Sequence, residues 1–407
     1  MSNNTIIGAV EIGTAKVVVL IGELVDGRNL NVIGMGQASS HGVKKGEILD
    51  FKAVNHCTHA ALQAAEESAG TEIESVYLTQ TGAHVAGTYN SAVVNVSAPD
   101  NRVAADDVSR AVKEARSKKL PEGRVYIHHI GNPFFLDGEI VADPVGMVGG
   151  KLEIGFWSVH GEERKISNHV HVVNDYFGAH VDDLIVSGIA SASICATDPE
   201  KRNGVLVIDV GCGTTDYVLY RNGFIVHTGV VPVGGDHLTN DLSLGLRINR
   251  KHAEKLKLQC GKAFVDDKDR GEEVWLMGDQ QIGDSRIKRH AIQQIIEARM
   301  TELFEIIAKT LGHRLNHRDT AGGVILTGGV SRLPGIDHAA AKVFNLTVRR
   351  SQGPDWVNSE LRQPEYSAVL GLLHYASTAL RRQSGKEETQ SPRGLFSKVA
   401  QILSING

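Results

Sequence analysis

The sequence predicts a duplicated, two-lobed α/β fold, on three observations. The first is "IIGAVEIGTAKVVVLIGELVDGRNLNVIGMG" near the start: an apolar run, an acid, a Gly-Thr turn, a second apolar run, Asp26-Gly27 and a third apolar run. The second is "VLVIDVGCGTTDYVLYRNGFIVHTGVV" from Val205, which repeats that order with Asp209, the Gly211-to-Thr215 turn and Asn222-Gly223. The third is "GGVILTGGVSRLPG", a buried-strand pattern that runs into Gly328-Gly329. Asp-Gly and Asn-Gly between apolar runs are strong hairpin signals, because both turn residues tolerate positive φ. Each half therefore opens on a three-stranded meander whose first hairpin carries an acid and hydroxyls. Two copies in one chain point to internal duplication.

Composition narrows the function classes. At 407 residues the chain is long enough for two domains or one elaborate one. Hydrophobic content of 42% and charged content of 22% describe an ordinary globular protein. A formal charge of −4 gives no general basic surface, so nucleic acid is not an expected partner. Cys57, Cys195, Cys212 and Cys260 have no Cys-x-x-Cys spacing, which predicts neither a disulfide framework nor a zinc site. The stretch "MSNNTIIGAVEIG" lacks a signal-peptide pattern, and no apolar run reaches the roughly 20 residues of a spanning helix. The expected compartment is the cytoplasm.

The turns carry the chemistry. Glycine lets backbone N–H groups approach a ligand closely, and consecutive N–H groups in a turn make an anion-binding nest. Thr14, Thr214 and Thr215 add hydroxyl donors, and Lys16 adds a positive charge. Glu11 and Asp209 end the preceding strands, where carboxylates suit the water shell of Mg2+. There is no Gly-x-x-x-x-Gly-Lys-Ser/Thr, so this is not a P-loop. Either turn alone reads as an ordinary polar-tipped hairpin. Paired, and joined by Gly328-Gly329 at a strand end where a base or sugar can lie on backbone, they read as a phosphate site. Between them, Gly234-Gly235 precedes a helix predicted from near Asp236, and a second helix carries Lys251, Glu254 and Lys255. Glu254 either accepts from ribose hydroxyls or is a solvated helix-face charge.

Other elements follow the same logic. Alternation in "NHVHVV" predicts a strand with His169 and His171 on one face, and His128-His129 adjoin in another strand. With no further ligands at fitting positions, these histidines read as exposed or hydrogen-bonded. Ile292, Ile295, Ile296, Leu303 and Ile306 recur at helical spacing and read mostly as core. From Arg381 to Pro392 the chain is polar and unpatterned, a flexible linker. Beyond Gly394, Leu395, Phe396, Val399, Ile402 and Leu403 predict a short amphipathic helix for a membrane surface.

These residues resemble a known family. "GAVEIGTAKV", "VLVIDVGCGTTDY" and "ILTGGVSRLPG" resemble the two phosphate motifs and the adenosine motif of the actin-like ATPases. "SSHGVKKGEILDFKAV", "SVYLTQTGAHV", "TELFEII" and "AVLGLLHYA" are similar, in order, to segments of the FtsA cell-division family within that group. The resemblance implies an actin-like (ribonuclease-H-like) fold with an inserted α/β subdomain and a C-terminal amphipathic helix. Its expected layout is a first lobe at 1–83 and 165–202, an interaction subdomain at 84–164, and a second lobe at 203–241 and 313–380. A smaller subdomain at 242–312, a linker at 381–392 and a membrane-targeting helix at 393–407 complete it.

The resemblance also implies ATP with Mg2+. The expected contacts are Gly13, Thr14, Ala15, Lys16, Asp209, Gly211, Gly213, Thr214, Thr215, Gly234, Gly235, Lys251, Glu254, Gly328, Gly329 and Arg332, with Glu11 and Asp209 on the Mg2+ waters. Actin-like hydrolases usually have Asp where Glu11 stands. The stretch that supplies their water-orienting carboxylate or amide offers only Ser187, Ser191 and Ser193 here. Hydrolysis is therefore expected to be weak or absent. Implied partners are the FtsZ C-terminal tail, with Arg299 as a contact, further copies of the chain in filaments, later division proteins at the insert, and membrane lipid. The implied location is the cytoplasmic face of the membrane at the division site. A PilM-like scaffold and a small-molecule kinase share the motifs; the insert and the missing base argue against a kinase.

Overall fold

The computed structural model describes residues 4–175, 179–276 and 285–383. Two five-stranded sheets share one topology. In the first, Thr5–Ile12, Lys16–Val25 and Asn29–Ser39 form the antiparallel meander, and Ser75–Gln80 and His180–Val186 extend it in parallel. In the second, Val205–Val210, Thr215–Arg221 and Phe224–Val231 form the meander, extended by Val324–Thr327 and Val348–Arg350. Asp26-Gly27 and Asn222-Gly223 all take positive φ, from 51° to 83°, as the two hairpins require.

Inner strands such as Lys16–Val25 and Val205–Val210 are near-continuous Val/Ile/Leu runs, the pattern of strands buried on both faces. Helix Phe51–Ala69 lies on one face of the first sheet, started by Asp50, whose Oδ1 accepts from Ala53 N–H, and ended by Gly70 at φ 67°. Its backbone comes so near that a Cβ on Gly36 would sit 1.9 Å from the Ala61 carbonyl. The other face is covered by helix Ser187–Cys195 and by helix Ser367–Gln383. Residues 367–380 were expected with the second lobe, and this is a correction. Val369, Leu372, Leu373 and Ala376 pack against Ile7, Ala9, Val18 and Leu20 of the first sheet, and Tyr375 Oη donates to Asp183 at 3.0 Å. The apolar stripe follows the surface it matches, not the lobe that precedes it in sequence.

Between the Ser75–Gln80 and His180–Val186 strands of the first sheet the chain builds a separate four-stranded sheet, in the order Ala86–Asn95, Lys151–Glu162, Arg124–Leu136, Glu139–Val141. Helix Ala105–Arg116 covers one face of it. Trp157 ties this unit to the second lobe, its Nε1 donating to Thr228 Oγ1 at 3.0 Å. His128 and His129 lie on Arg124–Leu136, buried and hydrogen-bonded to Val186 N–H and to Ser158 Oγ. The strand expected around His169 and His171 is instead helix Glu163–Asn174. Ile166, His169, Val170 and Val173 share its buried face at helical spacing, which outweighs the local alternation.

The smaller part of the second lobe holds helices Gly235–Leu246, Arg250–Cys260 and Arg289–Leu311. The last buries Ile292, Ile296, Met300, Leu303, Ile307 and Leu311; Ile306, expected in that stripe, is 38% exposed. Helix Ser367–Gln383 extends through the first three residues of the expected linker. The rest of the linker, and the 393–407 segment with Leu395, Phe396, Val399, Ile402 and Leu403, lie outside the described residues. Among those described, no helix is long and apolar enough to cross a membrane.

Candidate functional site

The lobes meet hairpin against hairpin. Each turn is closed by the same bond: Gly13 N–H donates to the Lys16 carbonyl at 3.0 Å, and Gly211 N–H to that of Thr214 at 2.9 Å. The tips touch so closely that a Cβ on Gly213 would fall 2.3 Å from Thr14 Oγ1. Thr81, just past the Ser75–Gln80 strand, crosses from the first lobe and donates to the Asp216 carboxylate at 2.8 Å. Together they bound a cleft of about 700 Å³, the size of a small-molecule site.

Most of the residues expected from sequence line this cleft. Glu11, Gly13, Thr14, Ala15 and Lys16 come from the first lobe; Asp209, Gly211, Gly213, Thr214, Gly235, Glu254, Gly328, Gly329 and Arg332 come from the second. Gly328 is held at φ 81°, and a Cβ there would be 2.3 Å from Asp209 Oδ1, so no larger residue fits. Three expected residues stand elsewhere. Thr215 is fully buried, its hydroxyl donating to the Val233 carbonyl at 2.8 Å. Gly234 backs onto the Gly211–Cys212 backbone. Lys251 is exposed one turn before Glu254, and Lys257 lines the cleft instead, donating to Gly235 O at 3.1 Å and paired with Glu254 at 2.7 Å.

Buried charge dominates the floor. Burial first, then the charge of Asp209, pushes Glu11 up to about 8, and its Oε2 has no hydrogen-bond partner. Burial raises Asp209 to about 6, opposed by the Ser191 hydroxyl that donates to it. Burial and Asp209 raise Asp216 to about 7, opposed by Thr81 and Thr214. Burial pulls Lys16 down, opposed by Glu11 and then Glu365; its Nζ lies 3.3 Å from Gln37 Oε1 and 3.9 Å above the Tyr366 ring. Carboxylates thus face amide nests and a lysine across one cavity, an arrangement suited to an anion accompanied by a divalent cation.

Comparison with known proteins fits this geometry. The family model "Cell division protein FtsA" matches residues 206–371, and "SHS2 domain inserted in FTSA" matches residues 82–160. The cell division protein FtsA of Bacillus subtilis (strain 168) is 30% identical over 403 residues, covering 98% of this chain and 90% of that protein. The chain belongs to the FtsA family. FtsA of Neisseria meningitidis serogroup B is 32% identical, covering 91% of this chain and 90% of its own length. FtsA of Escherichia coli (strain K12) is 30% identical, covering 92% and 91%. Among solved structures, a PilM–PilN type IV pilus biogenesis complex aligns with a TM-score of 0.64 at 16% identity, over 91% of this chain and 98% of that one. MreB5 of Spiroplasma citri bound to ADP aligns with a TM-score of 0.56 at 13% identity, over 94% and 99%. This FtsA-family chain therefore has the two-lobed fold that the duplicated hairpins predicted and the actin-like form that the family resemblance implied.

Several residues of this FtsA cleft carry no local motif. Thr81 and Glu365 reach it from elements outside the motifs, Lys257 from the helix that carries Glu254, and Asp216 was visible only as an acid after the turn. Of the three serines, Ser191 donates to Asp209, Ser193 to the Ala190 carbonyl at 2.7 Å, and Ser187 lines the cleft. Arg299 is held by Asp241 at 3.0 Å and by Glu302, with 27% of its side chain exposed.

Proposed function

We propose that this actin-like division protein binds ATP with Mg2+ between its lobes, and that the bound nucleotide favours a closed, filament-forming state on the membrane. The observation that carries the reading is the orphaned, buried Oε2 of Glu11 facing two apposed amide turns and Lys16. Gly13–Lys16 and Gly211–Thr214 would hold phosphates, with Gly328, Gly329 and Glu254 against the adenosine. Glu11 and Asp209 would hold Mg2+ through its waters, and the ion would offset phosphate charge when bound. Ligand that bridges both lobes stabilises whichever arrangement it binds best. With the Ser191 hydroxyl engaged by Asp209, hydrolysis is slow or absent. Titration calorimetry tests the site: Gly328→Val should abolish ATP binding, and undiminished affinity would sink the assignment.

The membrane and partner roles extend this reading. The 393–407 segment serves as a weak, reversible anchor, each fully buried large side chain being worth at most about 1.5–3 kcal/mol. Polymerisation would multiply such anchors into firm attachment. The surface near Arg299 would receive the FtsZ tail, and the inserted subdomain would meet neighbouring copies or later division proteins. Changing Phe396 and Leu403 to charged residues should release the protein from liposomes with ATP binding intact; unchanged pelleting would exclude this segment as the anchor.

A further inference from the structure

The short turn Pro364–Tyr366, which leads into the Ser367–Gln383 helix, puts a carboxylate into the cleft. Glu365 Oε1 accepts from Arg332 Nη1 at 2.7 Å, while its Oε2 is buried without a hydrogen-bond partner. A Cβ added to Gly329 would lie 3.8 Å from the Glu365 Cβ, so the residue stands beside the glycine floor. Its charge also acts on Lys16, whose ammonium rests over the ring of the next residue, Tyr366. One carboxylate therefore pairs with Arg332 from the second lobe and acts through its charge alone on Lys16 from the first. The turn that bears it is fixed, because the Pro364 carbonyl accepts from Gly328 N–H at 3.2 Å and from Thr327 Oγ1 at 3.3 Å. Only the side chain is left to move.

We propose that Glu365 is an internal competitor for polyphosphate: it holds Arg332 and adds its charge beside Lys16 in the ligand-free cleft, and phosphate groups must displace it to reach Arg332. This rests on the nucleotide reading above. Two like charges cannot both be served by the same pair of cations in a partly desolvated site without a loss of affinity. The residue thus holds polyphosphate affinity down, and its effect follows the charge of the ligand, not the presence of a sugar or base.

Calorimetric titration of the full chain tests this, using ATP, inorganic tripolyphosphate and adenosine as probes against the wild type and E365Q. The variant keeps the side chain's shape and removes its charge. It should bind ATP and tripolyphosphate about tenfold tighter, with adenosine unchanged. If E365Q lowers the thermal midpoint, E365A is the second variant, and the same tightening is expected. Equal or weaker binding of tripolyphosphate by the variants overturns the proposal. So does a loss confined to ATP, which would make Oε2 an acceptor for a ribose hydroxyl. A wild type that binds neither ATP nor tripolyphosphate would remove the nucleotide reading itself, whatever the variants do.

Discussion

In the first hairpin Glu11 stands opposite Val18 across the ladder; in the second, Asp209 stands opposite Asp216. The turns between are matched residue for residue by their registers, yet Ala15 and Lys16 occupy the places of Gly213 and Thr214. Backbone pairing holds the two frames alike, and side chains have diverged on them. Of the two hairpins, the first brings a cation, Lys16, and the second brings an extra carboxylate, Asp216, and a glycine with no spare room. Duplication supplies a scaffold twice and a half-site once from each copy, so neither lobe holds the whole cleft chemistry alone.

The sharpest way to break that comparison is to add the same atoms to both turns. Gly213→Val would drive carbon into Thr14 and toward the Lys45 N–H, which a Cβ there would approach to 3.0 Å. It should abolish ATP binding and lower stability by about 1–3 kcal/mol. Ala15→Val, on an exposed turn position, should leave stability unchanged and weaken ATP binding far less. Equal losses in calorimetry and thermal melts would make the turns equivalent after all.

A smaller effect should follow from the Thr81 hydroxyl, which crosses between the lobes to Asp216. Thr81→Ala removes that donor and leaves a buried carboxylate less well satisfied, at a cost of about 1–3 kcal/mol. Thr81→Ser should recover most of it. The first hairpin has no acid at the matching place, Val18, so Val18→Ala should lose only packing. A Thr81→Ala melt that overlays the wild type would strip Asp216 of any stabilising role between the lobes.

The smallest difference expected is in pH dependence. Glu11 rises from 4.5 to about 8 on burial, so the folded chain keeps a proton that the unfolded chain gives up. Its contribution to stability is full below the unfolded pKa and is lost as pH rises through the folded one. Asp209, eased by Ser191, rises only to about 6 and loses its share earlier. The ligand-free melting temperature should fall from about pH 5 to about pH 8, and Glu11→Gln should flatten the upper part of that fall. A wild-type curve already flat above about pH 6 would refute the asymmetry between the two acids.

What sequence made legible was whatever is local. Asp26-Gly27 and Asn222-Gly223 announce hairpins through their own backbone preferences, and acid-plus-glycine repeats announce a paired turn. Thr81 and Glu365 were invisible because each meets the cleft only through the packing of an element outside the motifs, and Lys257 was missed because the face its helix turns to the cleft is set by packing. His169 was misread since Val170 and Val172, alternating with His169 and His171, imitate a strand until the preceding Ile166 turns the pattern helical. Thr215 and Gly234 sit within the right motifs but face away from the cavity, a distinction that only strand orientation resolves.

The Ser367–Gln383 helix bears on the order in which the molecule is made. Its partners on the first sheet are synthesised hundreds of residues earlier: Tyr375 reaches back 192 residues to Asp183, and Tyr366 reaches 329 to Gln37. Until it arrives, the strand face around Ile7, Ala9 and Leu20 lacks the cover that Val369, Leu372, Leu373 and Ala376 supply. Long-range closure of this kind is slow and leaves apolar surface open while it is pending. Gly371, whose Cβ would lie 1.9 Å from the Ala190 carbonyl, is what lets the late helix seat against a neighbour already in place. On a ribosome, the lobe that begins first is finished last.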